Sequence, residues 1–156
     1  MSENAESKEP FKLAVGAGRQ VTLREAVESI VVLSANDSAV AIAEQLGGSE
    51  QAFAKAMTDK ARQLGMTNTV FRNPSGLPDP EQVTSARDMA TLGISLMRDF
   101  PEEFKLFSMR GFQFRGMLEV DRCIEHRKKP VHQDDHENRL HHRSRHMPGK
   151  SRRNSS

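Results

Sequence analysis

Apolar residues are spread so unevenly along this chain that only its first three-quarters can build a core. Of the 56 apolar residues, 48 fall within positions 1–116, and the remaining 40 positions hold eight. The charges divide at the same place. Before it, 13 Lys and Arg stand against 15 Asp and Glu; after it the numbers are 10 and 6, and all six His lie there too. The formal net charge of +2 therefore averages a slightly acidic body and a basic tail, and points to no partner. The body is one domain's worth of chain, and the composition after position 116 cannot build a core of its own.

The opening decapeptide MSENAESKEP is polar and acidic, with neither the basic flank nor the apolar run of a secretory signal. Nowhere does apolar character persist for the roughly 18 residues that a membrane-spanning helix needs. The single cysteine, Cys123, has no internal disulfide partner, which leaves the redox compartment open. As written, the chain is expected to be soluble, without a membrane segment, and to remain in the cytoplasm.

Within the body the spacing predicts four helices. Thr22, Leu23, Arg24 and Glu25 form a capping-box pattern with Leu23, Val27, Ile30 and Val31 in one stripe behind it, so a helix runs to about Leu33. Residues 39–46 are apolar nearly all round, as in a buried helix, and Gly47 and Gly48 end it. Ser49 caps a third helix in which Phe53, Met57, Ala61 and Leu64 share a face, with Gly65 as the stop. The Pro, Gly and Asn content that follows predicts an ordered loop, with a short strand at 69–71. Ser85 opens a fourth helix with Met89, Gly93, Leu96 and Met97 facing inward, and Phe112 and Phe114 alternate with polar residues like a half-buried strand.

The first two helices are separated by a polar interruption inside VVLSANDSAVAIAEQLGG, residues 31–48. In a non-helical turn, residues two apart project to the same side, which puts Ser34 and Asn36 on one cleft with Ala35 packed behind. A hydroxyl relays a proton, and a carboxamide donates and accepts hydrogen bonds together. Such a pair suits a site that grips a peptide bond and moves a proton during acyl transfer. The competing reading makes Asn36 or Asp37 a plain cap for a helix from Ser38 onward. Spacing alone leaves both open.

Three markers carry a resemblance to a known family: SAND after a helix, LGMTNTVFRNPSGLPDP, and SARDMATL followed by RDFPEEF. Over residues 16–116 the chain closely resembles the serine D-alanyl-D-alanine carboxypeptidases, the low-molecular-mass penicillin-binding proteins that trim peptidoglycan stem peptides. The resemblance implies an α/β fold class: the mostly helical lobe of a penicillin-binding or β-lactamase-type transpeptidase domain, with an incomplete sheet. It implies a serine-type hydrolase that works through an acyl-enzyme and is built on Ser-x-x-Lys, Ser-x-Asn and Lys-Thr-Gly. Ser34, Ala35 and Asn36 match the second element. Ser34 is then expected to be catalytic, relaying a proton toward the leaving D-alanine, and Asn36 to bind substrate by holding its amide. The implied partner is a stem peptide ending in D-Ala-D-Ala, with β-lactams as family ligands; no cofactor and no metal is implied. The family is exported to the cell envelope.

No serine of the chain has a lysine three residues later, and Lys-Thr-Gly does not occur; the nearest run is Gly149, Lys150 and Ser151. The family's nucleophile lies upstream of the matching stretch. The chain is therefore expected to be a fragment, inactive alone, because removing a nucleophile typically lowers turnover by on the order of a millionfold. The organisation expected is a polar N-terminal segment at 1–15, a partial catalytic domain at 16–116 and a basic, His-rich, disordered tail at 117–156. The tail leaves the family pattern abruptly, as a reading-frame shift produces. Two other classes compete: a non-catalytic peptidoglycan- or protein-binding module, and a tail-mediated binder of nucleic acid or metal. His132 with His136, and His142 with His146, have the i,i+4 spacing of a metal pair on a helix. A solvated run is the simpler reading, and no nucleic acid is expected because no aromatic accompanies the basic residues. Cys123 with His126 is not read as a nucleophile pair. Asn73, Ser75 and Asp79 read as turn chemistry and Asp88 as a capping-box acid.

Overall fold

The computed structural model describes residues 1–120. The readings placed on the tail beyond (disorder, a frame shift, metal or nucleic-acid binding) fall outside the described residues. Those residues form α1 (Glu3–Glu6), α2 (Leu23–Leu33), α3 (Asn36–Gly47), α4 (Glu50–Gln63), α5 (Ala86–Asp99), α6 (Pro101–Phe104), a 3₁₀ turn (Lys105–Ser108), and an antiparallel hairpin of β1 (Gly111–Phe114) and β2 (Met117–Val120). The expected fold class stands: a helical lobe with only a fragment of sheet.

Helix starts follow the caps written in the sequence. Thr22 Oγ1 accepts the Glu25 N–H at 3.2 Å while the Glu25 carboxylate takes the Thr22 N–H at 2.8 Å, a complete capping box. Ser49 Oγ accepts from Ala52 N at 3.1 Å and opens α4. Gly48, at φ +74°, closes α3 in the left-handed region. Gly47 before it serves a different need: a Cβ there would lie 2.8 Å from Phe53 Cβ, so the residue lets α4 turn back tightly onto α3.

Packing between α2 and α3 uses small side chains rather than the predicted stripe. α2 buries Ala26, Ser29 and Val32, and α3 buries Ser38, Ala39, Val40 and Ala43. Leu23 is 64% exposed, and Val27, Ile30 and Val31 are only half-buried. The reason is distance. Small residues at the contact let helix axes approach closely, and the Ser29 and Ser38 hydroxyls, 2.8 Å apart, hydrogen-bond across the seam. Larger side chains are displaced to its margins.

Both ends of the described chain are built into the core. Ser2 Oγ caps α1 by accepting from Ala5 N at 2.9 Å, and Ala5 is fully buried. Lys8 pairs with Glu50 at 2.7 Å. Leu13 and Val15 then join Val32, Ala35, Phe112 and Phe114 in the hydrophobic cluster. Residues 1–15, read from sequence as a polar segment, thus supply part of that cluster. At the other end, Phe112 and Phe114 alternate inward as predicted, with Gln113 exposed. Arg115 and Gly116 both have positive φ, +48° and +82°, as a two-residue hairpin turn requires. The turn sends β2 back along β1 with Phe114 opposite Met117. Pairing therefore continues through Val120, past the position where the sequence reading ended the domain.

α5 departs furthest from expectation. Met89 and Met97, predicted to face inward, are 47% and 49% exposed, and Asp88 is the helix's one fully buried residue. Periodicity says which face of a helix can be buried; it does not supply a neighbour to bury it. The predicted strand at 69–71 is reduced to a single antiparallel bridge, Val70 to Val83. No helix among the described residues is long and apolar enough to cross a membrane.

Candidate active site

The polar interruption is the junction of α2 and α3, where the chain reverses in two residues. Ser34 closes α2 in the left-handed conformation, φ +60° and ψ +41°, with its N–H on the Ile30 carbonyl at 3.0 Å. An L-residue adopts this region only at a cost, so serine rather than glycine here is uncommon. The side chain is exposed, and its hydroxyl makes no hydrogen bond among the described residues. Ala35 follows in extended conformation and places its methyl in the hydrophobic cluster, behind the turn as expected.

Asn36 and Asp37 form the first turn of α3 and are buried, at 7% and 1% exposure. Asn36 donates its backbone N–H to Phe11 O at 2.8 Å and its side-chain Nδ2 to Glu9 O at 3.0 Å. A carbonyl partner requires the amino end of the carboxamide to face it, which fixes the orientation of the group. Asp37 accepts three backbone N–H groups: Leu13 at 2.9 Å and Ser38 at 2.8 Å on Oδ1, and Ala14 at 2.9 Å on Oδ2. The helix cap position itself is Ala35, which has no side-chain acceptor. Asn36 therefore does not cap α3. The free N–H groups of its first turn are met instead by Phe11 O and by Asp37.

The structure thus brings Ser34 and Asn36 to one junction with different exposures: an exposed hydroxyl on the one, a fixed and buried carboxamide on the other. Sequence reasoning missed the segment at 9–14 that wraps this turn, and weighed Asp37 only as a cap. Large grooves lie elsewhere. One of about 350 Å³ runs past Leu23, Ala26, Ile42 and Leu46, and an apolar one of about 340 Å³ past Phe53, Met57, Leu64 and Leu92; Ser34 and Asn36 line neither. Among the described residues no three His, Cys, Asp or Glu converge to hold a metal.

The second polar cluster ties the loop after α4 to α5. Ser85 caps α5 by accepting the Asp88 N–H at 3.2 Å. The Asp88 carboxylate does not close the expected capping box on the Ser85 N–H; its Oδ2 instead accepts from Thr69 Oγ1 at 2.7 Å and Asn68 N at 2.8 Å. The Thr69 hydroxyl holds the Asp88 carboxyl below the ordinary carboxylate range; burial opposes it, and the Asn68 N–H and the Ser85 side chain add to the lowering. The loop itself is the turn chemistry expected. Asn73 Oδ1 accepts from Gly76 N at 2.8 Å and Ser75 Oγ at 3.2 Å, and Asp79 Oδ1 from Glu81 N at 2.8 Å.

The solved structures place this helical lobe in the penicillin-binding class of folds. The chain matches the D-alanyl-D-alanine carboxypeptidase DacD from Francisella tularensis with a TM-score of 0.71 at 42% identity, over 81% of this chain and 31% of that one. It matches penicillin binding protein 5 from Haemophilus influenzae with a TM-score of 0.72 at 35% identity, over 78% and 36%. The profile of the peptidase S11 family, D-alanyl-D-alanine carboxypeptidase, covers residues 1–137, and the chain belongs to that family of hydrolases. Among curated relatives, D-alanyl-D-alanine carboxypeptidase DacA of Haemophilus influenzae is 38% identical over 111 residues, 71% of this chain and 28% of the relative. DacC of Escherichia coli is 36% identical over 105 residues, 67% and 26%. The chain spans little more than a quarter of the length of these two relatives.

Proposed function

We propose that the α2–α3 junction is one wall of an acyl-transfer site for peptidoglycan stem peptides ending in D-Ala-D-Ala. Asn36 holds the peptide amide, and Ser34 relays a proton toward the nitrogen of the leaving D-alanine. One observation carries this reading: a left-handed, exposed Ser34 stands two residues before a carboxamide locked by a backbone carbonyl. Strain of this kind persists where the surroundings over-determine it, and it gathers at working sites. Hydrolysis by this family also needs a serine activated by a lysine three residues on, a pair absent from these 156 residues. The chain by itself therefore captures the end of a stem peptide and does not cleave it.

The test is an NMR titration of the labelled chain with diacetyl-Lys-D-Ala-D-Ala, beside the same peptide ending in L-Ala-L-Ala. The D,D peptide is expected to shift the Ser34 and Asn36 resonances, and Asn36→Ala to abolish the shifts. Intact mass after incubation with penicillin is expected to be unchanged. Equal shifts with both peptides, or a penicilloyl adduct on this chain, overturn the reading.

A further inference from the structure

We propose that Asp37 is a positioning residue that sets the orientation of the Asn36 carboxamide from across the chain. The inference rests on the reading of Asn36 as the group that holds substrate. Residues 9–14 are joined to the first turn of α3 by four hydrogen bonds, the first two accepted by the segment and the last two donated by it. Glu9 O accepts Asn36 Nδ2 at 3.0 Å and Phe11 O accepts Asn36 N at 2.8 Å; Leu13 N and Ala14 N then donate to the two oxygens of Asp37, each at 2.9 Å. The carbonyls that orient Asn36 and the N–H groups that Asp37 grips thus belong to one short strap.

The backbone of that strap is shaped for the carboxylate. Two successive N–H groups, those of Leu13 and Ala14, meet the two oxygens of one carboxylate, and Ala14 itself has φ +56°. Asp37 makes no ion pair among the described residues, and its carboxylate is held by three backbone N–H groups. Ser38 N–H, at 2.8 Å, holds Oδ1 at the end of the helix turn and keeps the carboxylate aimed outward at the strap. An asparagine here would set a donor against an N–H and lose one arm of the grip while keeping its shape. Leu13 and Val15 also anchor the strap through the hydrophobic cluster. The question is whether those apolar anchors alone keep Glu9 O on the carboxamide; the two-pronged polar grip answers that Asp37 is needed.

Solvent exchange of the Asn36 carboxamide protons in the full-length, labelled chain decides it. Asp37→Asn is expected to speed that exchange about five- to tenfold, the scale of one lost hydrogen bond. The Phe71 N–H, bonded to Thr58 Oγ1 at 2.9 Å in another part of the molecule, is expected to keep its rate. Unchanged Asn36 exchange, with faster Leu13 and Ala14 amides, overturns the proposal and leaves Asp37 as a tie for the strap alone. Should Asp37→Asn not fold, the same reading is taken from Asp37→Glu, which retains the carboxylate but misplaces it by a methylene; unmoved Asn36 resonances there overturn the proposal equally. Adding diacetyl-Lys-D-Ala-D-Ala to the same samples separates this result from the functional reading. A wild-type chain that binds no peptide removes the functional reading whatever the exchange shows. Peptide binding that survives Asp37→Asn with unchanged Asn36 exchange removes only the positioning role.

Discussion

α3 and α5 are helices of 12 and 14 residues, and they are held in opposite ways. α3 buries its whole first turn, Asn36 through Val40, on small residues and hydrogen bonds. α5 has the stronger apolar pattern along its length and yet buries only Asp88. Met89, Ile94 and Met97 stay exposed. Amphipathic contrast is thus a poor guide to how firmly a helix is held here. A helix of alanines and serines approaches its neighbour closely enough to position a hydroxyl and a carboxamide. A helix of methionines is pinned at one end by a carboxylate.

Mutations can break or sharpen that contrast. The largest loss is expected on α3, where Val40→Ala opens a cavity at a fully buried position and destabilises by about 2–3 kcal/mol, read from the urea midpoint. Gly47→Ala, which forces a methyl to within 2.8 Å of Phe53 Cβ, is expected to destabilise by about 1–3 kcal/mol in the same assay. Asp88→Asn comes next and acts locally: the Asn68 amide loses protection in hydrogen exchange while those of α3 keep theirs. Acid is expected to do likewise. Because the folded-state value of Asp88 is lowered, its contribution is full above the unfolded carboxylate value of about 3.9 and vanishes as pH falls through the lower, folded one. A pH series of the Asn68 amide checks this, and Asp88→Asn is expected to flatten it. The smallest effect belongs to Met97→Ser, within about 0.5 kcal/mol of the parent. If Met97→Ser cost as much as Val40→Ala, the contrast between the helices would be wrong.

What was legible in the sequence follows from how far apart the deciding residues lie. Thr22 with Glu25, Ser49 with Ala52, and Gly48 mark helix ends through contacts within four residues, and each stands where the pattern placed it. Ser34 and Asn36 were visible as a polar pair for the same local reason. The partner that orients Asn36 was not, because Glu9 is 27 residues upstream in a stretch that looks merely polar. Leu13 and Val15 are too few to make a periodic signal, and the residues they cluster with, Val32, Ala35, Phe112 and Phe114, lie up to a hundred residues later. The hairpin return was nearer to hand: Arg115 and Gly116 before Met117, Leu118 and Val120 hold a turn signal that composition, averaged over a long tail, concealed.

The left-handed backbone of Ser34 makes position 34 a natural sorting gate between two kinds of selection. Holding a side chain there costs about 1–2 kcal/mol that glycine would not incur. A library randomised at this one codon and grown under demand for thermal resistance alone is expected to drift to glycine and asparagine. On the proposed relay role, the same codon randomised in a relative that carries the nucleophile, and grown under demand for D-Ala-D-Ala hydrolysis, is expected to return serine.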